Sequence, residues 1–459
     1  MVKQAADPGQ RNLRAFLRLP GFSLIVLGVL LSLLLGRPAT ATGAETPPPT
    51  TPVPTAATDF DSSVQIALRQ SPFFTKSALE IEVKRLDEKD SKSDFYPSLT
   101  GTARYYLAQP SSNTNAQNYQ WAISTPNYNP LFAYLSLKAN RIVTQIATLA
   151  HIKVISAGIQ RLGKAFLELN SVETFIQLRG RATELAKENL RYVKERQRLG
   201  EVTPLEVQIA SQELEVATAE QESLISSKGR LSEGIRNFLG LKPDQTMQLQ
   251  VNQARRQVLN DFDPQKATLQ DAESRSFDVR IKQMAKELQT WNVALAKMKF
   301  VPSVNAALQS PDPLSNNNVR GSFFSVGVSF PIFDGFKRFR NIDRQKTILK
   351  QFGSEEAVAG NELSSKWREA EEVLHTAAAA MHTAKAQADL ARLKETQAET
   401  VYRAAEKDFS VLMTARQTRV KAQMDAVKNT LDYDEAVLAL RSLSGDLVYH
   451  YVNESQFQK

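Results

Sequence analysis

His375 and His382 stand seven residues apart and would share one face of a helix, the nearest thing to a metal pair in a chain with four histidines. A pair of histidines alone seldom makes a metal site. The 459 residues include no cysteine, which removes disulfides, thiolate metal centres, a cysteine nucleophile and a lipid-modified N-terminal cysteine. Gly327-Val328-Ser329 lacks the flanking glycine of a nucleophile elbow, and no phosphate loop or dinucleotide fingerprint occurs. Residues able to do covalent or metal chemistry are too few and too scattered for an enzyme. Catalytic residues, cofactors and metals are not expected.

Charge and hydropathy narrow the remaining classes. Lys and Arg number 57 against 49 Asp and Glu, a net +8, and half of that excess lies in the first 41 residues. The remainder is too small to argue for nucleic acid. A mean hydropathy of −0.33 excludes a bundle of membrane-spanning helices. Arg11, Arg14 and Arg18 precede an apolar run of 14 residues, Phe22 to Leu35, followed by small residues Ala39, Thr40 and Ala41. That order reads as a cleavable signal peptide over 1–41, and the chain is expected to be exported. Residues 42–58, with Pro47, Pro48, Pro49, Pro52 and Pro54 among threonines, read as a tether.

The elements that follow are written twice. Phe95-Tyr96-Pro97-Ser98-Leu99 recurs as Phe300-Val301-Pro302-Ser303-Val304, an offset of 205 residues. Ala67 and Ala272, Pro126 and Pro331, Leu185-Ala186 and Leu390-Ala391, Ala210 and Ala415, and Gly240 and Gly445 keep the same offset without a gap. One register over 174 positions marks a duplication. The first copy is assigned to 59–240, an inter-repeat equatorial segment to 241–267, the second copy to 268–445 and a C-terminal tail to 446–459.

Each copy reads as helix, strand, strand, long helix, helix. Strands are expected over about 98–108, 118–126, 303–310 and 321–331, because apolar residues alternate there with small or polar ones. Leu99, Gly101, Ala103, Tyr105 and Leu107 form one such set; Phe324, Val326, Val328 and Phe330 form another. The same alternation would suit a half-buried hairpin in a soluble sheet. In the first copy the helices have lengths of about 33 (Ser63 to Phe95), 70 (Pro130 to Leu199) and 37 residues (Thr203 to Leu239). The two short ones together match the long one, which spans about 100 Å. Thr203, Ala210, Ala217, Leu224, Leu231 and Phe238 recur every seven residues, as close-packed helices require. Four strands per chain cannot close a barrel, so strands in lipid would have to be pooled among several copies.

Phe95-Tyr96-Pro97-Ser98-Leu99, Phe330-Pro331-Ile332-Phe333-Asp334-Gly335 and the turn Arg198-Leu199-Gly200-Glu201-Val202-Thr203 resemble the signatures of the TolC-like outer-membrane efflux proteins, and the resemblance spans about Phe60 to Tyr451. It implies a mainly α fold with membrane β: a homotrimer whose 12-stranded barrel continues into a periplasmic α-helical coiled-coil barrel. It further implies an outer-membrane location, outer-membrane lipid around the barrel, and partnership with a periplasmic adaptor protein and an inner-membrane pump. The chain would then be the exit duct of a tripartite efflux or type I secretion system. A periplasmic coiled-coil protein without a channel, structural or adaptor-like, is the rival, and the repeated strand pairs argue against it. By the same resemblance, Glu206, Tyr402 and Lys407 fall at polar links that close the periplasmic tip. Arg198, Leu199, Gly200, Glu201, Val202, Ala405 and Asp408 fall at the tips that meet the adaptor. Val411 and Thr414 stand where the family carries an acidic pair at its constriction, and Ala405 replaces the usual glycine.

Overall fold

In the computed structural model, residues 58–105, 119–242, 248–260, 262–310, 322–404 and 409–452 are described. All belong to the second of two units, Ala57–Lys459. The expected signal peptide, the tether up to residue 57, the two hairpin loops, and Ala405, Lys407 and Asp408 lie outside the described residues.

Each repeat opens with a helix broken at a serine. The first copy has α1 (Phe60–Gln70) and α2 (Pro72–Ser93), the second α6 (Leu269–Arg275) and α7 (Phe277–Met298). The single 33-residue helix read from the sequence is therefore corrected to two. At the break, Ser71 and Ser276, again 205 apart, are extended, and each side chain caps the helix that follows. Pro72 enforces the break in the first copy, since the residue before proline avoids the helical region. In the second copy the serine cap does this alone.

The strands β1 (Thr100–Tyr105), β2 (Tyr119–Tyr128), β3 (Ser303–Gln309) and β4 (Phe323–Ser329) form one antiparallel sheet in chain order. The long helices are α3 (Pro130–Arg198), 69 residues, and α8 (Lys337–Arg403), 67 residues. Returning helices α4 (Pro204–Leu239) and α9 (Phe409–Leu443) complete each hairpin. Short helices α5 (Ala254–Leu259) and α10 (Asp446–Tyr449) pack at mid-height.

Near the sheet, helices lie side by side in the order α2–α3–α7–α8; away from it the order is α4–α3–α9–α8. The short helices stack end to end along the long ones. Ser71 Oγ donates to the Phe238 carbonyl at 2.6 Å, and the Phe74 and Phe238 rings meet edge to face at 5.8 Å. In the second copy, Phe277 meets Tyr449 at 5.8 Å and Arg280 donates to the Tyr449 hydroxyl at 3.0 Å. The largest buried cluster sits at these joints: Phe60, Val64, Ile152, Ile155, Ile159, Leu162, Phe166, Leu239, Val258, Leu438, Leu447 and Val448. Arg441, fully buried there, donates to Asp446 Oδ2 at 2.8 Å and the Val258 carbonyl at 2.7 Å.

Candidate functional site

Strand pairing decides which side chains share a face of the sheet. Gly101, Ile123, Leu308 and Phe324 align across all four strands. Thr125, Ala306 and Val326 align on the same side, as do Val304 and Val328, and Ala103 lies opposite Trp121. That face is almost wholly apolar. Its other side is mainly polar, carrying Thr100, Thr102, Arg104, Gln120, Ser124, Ser303, Asn305, Gln309, Ser325 and Ser329, with Ala122, Ala307, Gly327 and Phe323 among them. Phe324, Val326 and Val328 are each more than 60% exposed, so among the described residues none covers this part of the apolar face. Between Thr125 and Tyr128 the register slips by one residue, with Asn127 at φ +45°. Such a bulge bends and twists the strand as it leaves the sheet. Among the described residues, strands β1 and β4 each pair on one side only.

The helical layers also have open edges. Leu205, Ile209, Val216 and Ile225 are exposed along α4, Leu79, Val83 and Leu86 along α2, and Val358, Val373, Leu390 and Leu393 along α8. These stripes lie on the outermost helices of each layer. The heptad read from the sequence found the inward stripe of α4, on which Ala210 is buried; the outward stripe was missed.

At the far end, the turn between α3 and α4 places Arg198, Leu199, Gly200, Glu201 and Val202 at the surface. Gly200 takes φ +79°, a left-handed conformation that ends the long helix. Thr203 then caps α4 in a reciprocal box: the Glu206 amide donates to Thr203 Oγ1, and the Thr203 amide donates to Glu206 Oε1 at 3.2 Å. The Glu206 carboxylate thus has a local partner. Tyr402 lies in the last turn of α8. Since α4 and α8 occupy opposite edges of the layer, Glu206 and Tyr402 can be juxtaposed only between two copies of the chain. Val411 and Thr414 are exposed on one face of α9. His375 and His382 are exposed on α8, and no group of three metal-binding side chains occurs among the described residues.

What joins the two hairpins within the chain is a cluster that sequence reasoning missed. The Tyr192 ring lies 4.3 Å from Phe409, and Tyr402 meets Phe409 at 5.8 Å. Leu412 and Met413 are buried with Phe409, against Leu185 and Ala398. Arg196 continues the chain of contacts, its guanidinium 5.7 Å from the Tyr192 ring and its Nε donating to Glu201 at 2.9 Å. Just behind it, Arg416 donates to Glu188 at 3.2 Å. The signal available was Tyr192 seven residues after Leu185, facing an apolar Phe409-x-x-Leu412-Met413 start to α9.

At mid-height the ionisable groups are held by burial. His151 sits beside Ser77, Nδ1 to Oγ 2.8 Å, and burial lowers its affinity for a proton. Burial raises the Asp434 carboxyl, although Arg255 Nε, 2.7 Å away, opposes the shift. The Tyr451 hydroxyl, donating to Asp61 at 2.6 Å, is pushed well above the usual tyrosine range by burial and then by that carboxylate. These contacts join α2 to α3, α5 to α9, and Tyr451 to α1.

No protein-family model and no curated protein sequence matches the chain. Solved structures do. A membrane protein from Pseudomonas aeruginosa is similar at 17% identity and TM-score 0.69, over 84% of this chain and 90% of that one. The Campylobacter jejuni CmeC outer membrane channel is similar at 15% identity and TM-score 0.69, over 86% and 88%. The outer membrane protein VceC from Vibrio cholerae is similar at 12% identity and TM-score 0.67, over 84% and 96%. At these identities the likeness is one of fold, and it extends over 84–86% of this chain and 88–96% of the others: the chain has the fold of these membrane proteins.

Proposed function

We propose that this chain is a TolC-like outer-membrane channel protein, working as a homotrimer whose three four-stranded sheets close into a 12-stranded barrel. The barrel continues into an α-helical tunnel in the periplasm. It is the exit duct of a tripartite efflux or type I secretion system, receiving substrates from an inner-membrane pump through a periplasmic adaptor, and it is not an enzyme.

The observation that carries this reading is the sheet: one face apolar and exposed, the other polar, both edges unpaired. In lipid an open edge is untenable, so closure by further copies is required. The polar face then lines a water-filled lumen, and the apolar face meets hydrocarbon. Open apolar edges on α2, α4 and α8 supply the matching contacts below the membrane. In the ring, α4 of one copy faces α8 of the next, which brings Glu206 toward Tyr402 and Lys407 as gate links. The tips, from Arg198 to Val202 and at Ala405 and Asp408, are the surfaces offered to the adaptor.

Membrane fractionation followed by native mass measurement tests the assembly. The mature chain should sediment with the outer membrane and carry the mass of three copies in mild detergent. Recovery as a soluble periplasmic monomer would establish the coiled-coil structural role instead.

A further inference from the structure

Between β4 and α8 the chain turns through Phe330-Pro331-Ile332-Phe333-Asp334-Gly335-Phe336, and the turn is strained. Gly335 and Phe336 take consecutive left-handed conformations, φ +65° and +64°, a region that disfavours any residue with a Cβ. Arg338 holds the turn in place. Its amide and Nε donate to Asp334 Oδ2 at 3.1 and 2.7 Å, and Nη2 donates to the Pro331 carbonyl at 3.1 Å. The guanidinium also lies 4.9 Å over the Phe300 ring.

The strain displays apolar side chains rather than burying them. Ile332 is 88% exposed, Phe333 75% and Phe336 60%. Phe333 and Phe336 meet edge to face at 5.7 Å, and the row continues through Phe339 to Phe300 at 6.3 and 5.0 Å. Strain maintained at a surface points to function, and a row of exposed aromatic rings points to a non-aqueous partner.

Cations follow directly. Lys337, Arg340 and Arg344 are exposed at i, i+3 and i+7 on α8, one face of the helix. Lys299 is exposed at the end of α7, its carbonyl 3.5 Å from Arg338 Nη1. The nearby carboxylates are engaged: Asp334 by Arg338 and Asp343 by Lys346 at 3.7 Å. The first repeat has a similar arrangement, with exposed Leu131 and Tyr134 at the positions of Phe336 and Phe339, and Lys138 Nζ 5.8 Å from the Tyr134 ring. Passing from β4 to α8, the exposed surface runs from the apolar side chains Phe324, Val326, Val328 and Phe330, through Ile332 and the aromatic row, to the cations. That is the order of acyl chain, interface and phosphate in a leaflet.

We propose that this junction is an anchoring collar that takes anionic phospholipid headgroups from the leaflet facing the helices. Phe333 and Phe336 seat at the acyl boundary, and Lys337, Arg340 and Lys299 meet lipid phosphates. The inference rests on the channel reading above and adds its lipid class.

The test uses the full mature chain, purified in mild detergent with equal amounts of phosphatidylglycerol and phosphatidylcholine, and native mass spectrometry to count retained lipids. The wild-type protein should retain phosphatidylglycerol in preference to phosphatidylcholine. Lys337→Gln with Arg340→Gln, both at exposed positions, should cut that preference by about five-fold per charge removed while the assembly keeps its mass. Equal retention of the two lipids by wild type, or an unchanged preference in the double variant, overturns the proposal. So does a double variant that alters the assembly mass at constant lipid retention, since the collar would then be covered by a neighbouring chain. Failure of the channel reading would look different: a soluble monomer that enters no membrane, whatever the lipid.

Discussion

The ring of Phe409, at the start of the second returning helix, lies 4.3 Å from that of Tyr192 on the first long helix. This contact, with the Glu188–Arg416 pair behind it, fastens the two helical hairpins of one chain near their tips. Any opening that separates the hairpins must break it.

Phe409→Ala should therefore loosen the tip. Truncating a buried phenylalanine costs about 3 kcal/mol or more, and here the loss falls on one local cluster. Single-channel recording should show higher conductance, with trimer mass unchanged. Tyr192→Ala should give a similar increase, and the double variant little more, because the two rings act on each other.

Glu206 has a local role that can be separated from any link between chains. Glu206→Gln keeps a carbonyl oxygen able to accept from the Thr203 amide, whereas Glu206→Ala removes the cap and costs α4 about 1 kcal/mol. If its charge also closes the tip against Lys407 of a neighbouring copy, both variants raise conductance. A rise in the alanine variant alone assigns Glu206 to helix capping.

The stacked joint of the first repeat depends on a glycine. Gly240 takes φ +74°, and an added Cβ would stand 2.8 Å from the Gln70 carbonyl oxygen and from Pro72 Cδ. Gly240→Ala should lower the melting temperature by the equivalent of about 2 kcal/mol or more from conformation and clash together. Gly229, inside α4 with open space around it, provides the control: Gly229→Ala should be neutral or stabilising by about 0.5–1 kcal/mol.

His151 makes the middle of the molecule sensitive to mild acid. Burial lowers its pKa in the folded chain, so the unfolded chain binds the proton more tightly. Its contribution is complete above about pH 6.5, the ordinary histidine value, and is lost as pH falls below that toward the folded pKa. His151→Gln, which can still bond Ser77, should lose less melting temperature than wild type between about pH 7.5 and 5.5. Equal losses would place the acid sensitivity elsewhere.

Periodicity carried much of the architecture. Leu99-x-Gly101-x-Ala103 and Phe324-x-Val326-x-Val328 read as two-faced strands because apolar or small residues alternate there with polar ones, which sets them on one face of a strand. The returning helix α4 was legible because its inward positions recur at seven residues. The helix breaks were not read: Pro72 marks the first, but Ser276 carries no proline after it, and a serine cap is ordinary in a loop. Nor was the Tyr192–Phe409 contact, which joins residues 217 apart through the packing of two hairpins. No local pattern encodes such a pairing. The strained Phe336 was likewise hidden, because nothing in Asp334-Gly335-Phe336 announces a second left-handed residue after the glycine.

The central claim is that the sheet is part of a membrane barrel with a polar lumen, and the absence of native cysteine allows it to be read position by position. Single cysteines at Phe324, Ser325, Val326, Val328 and Ser329, each labelled with a fluorophore in proteoliposomes, should divide by face. Brominated lipid should quench the labels at Phe324, Val326 and Val328, while iodide in water should quench those at Ser325 and Ser329. Quenching of all five by iodide and of none by lipid would contradict the account.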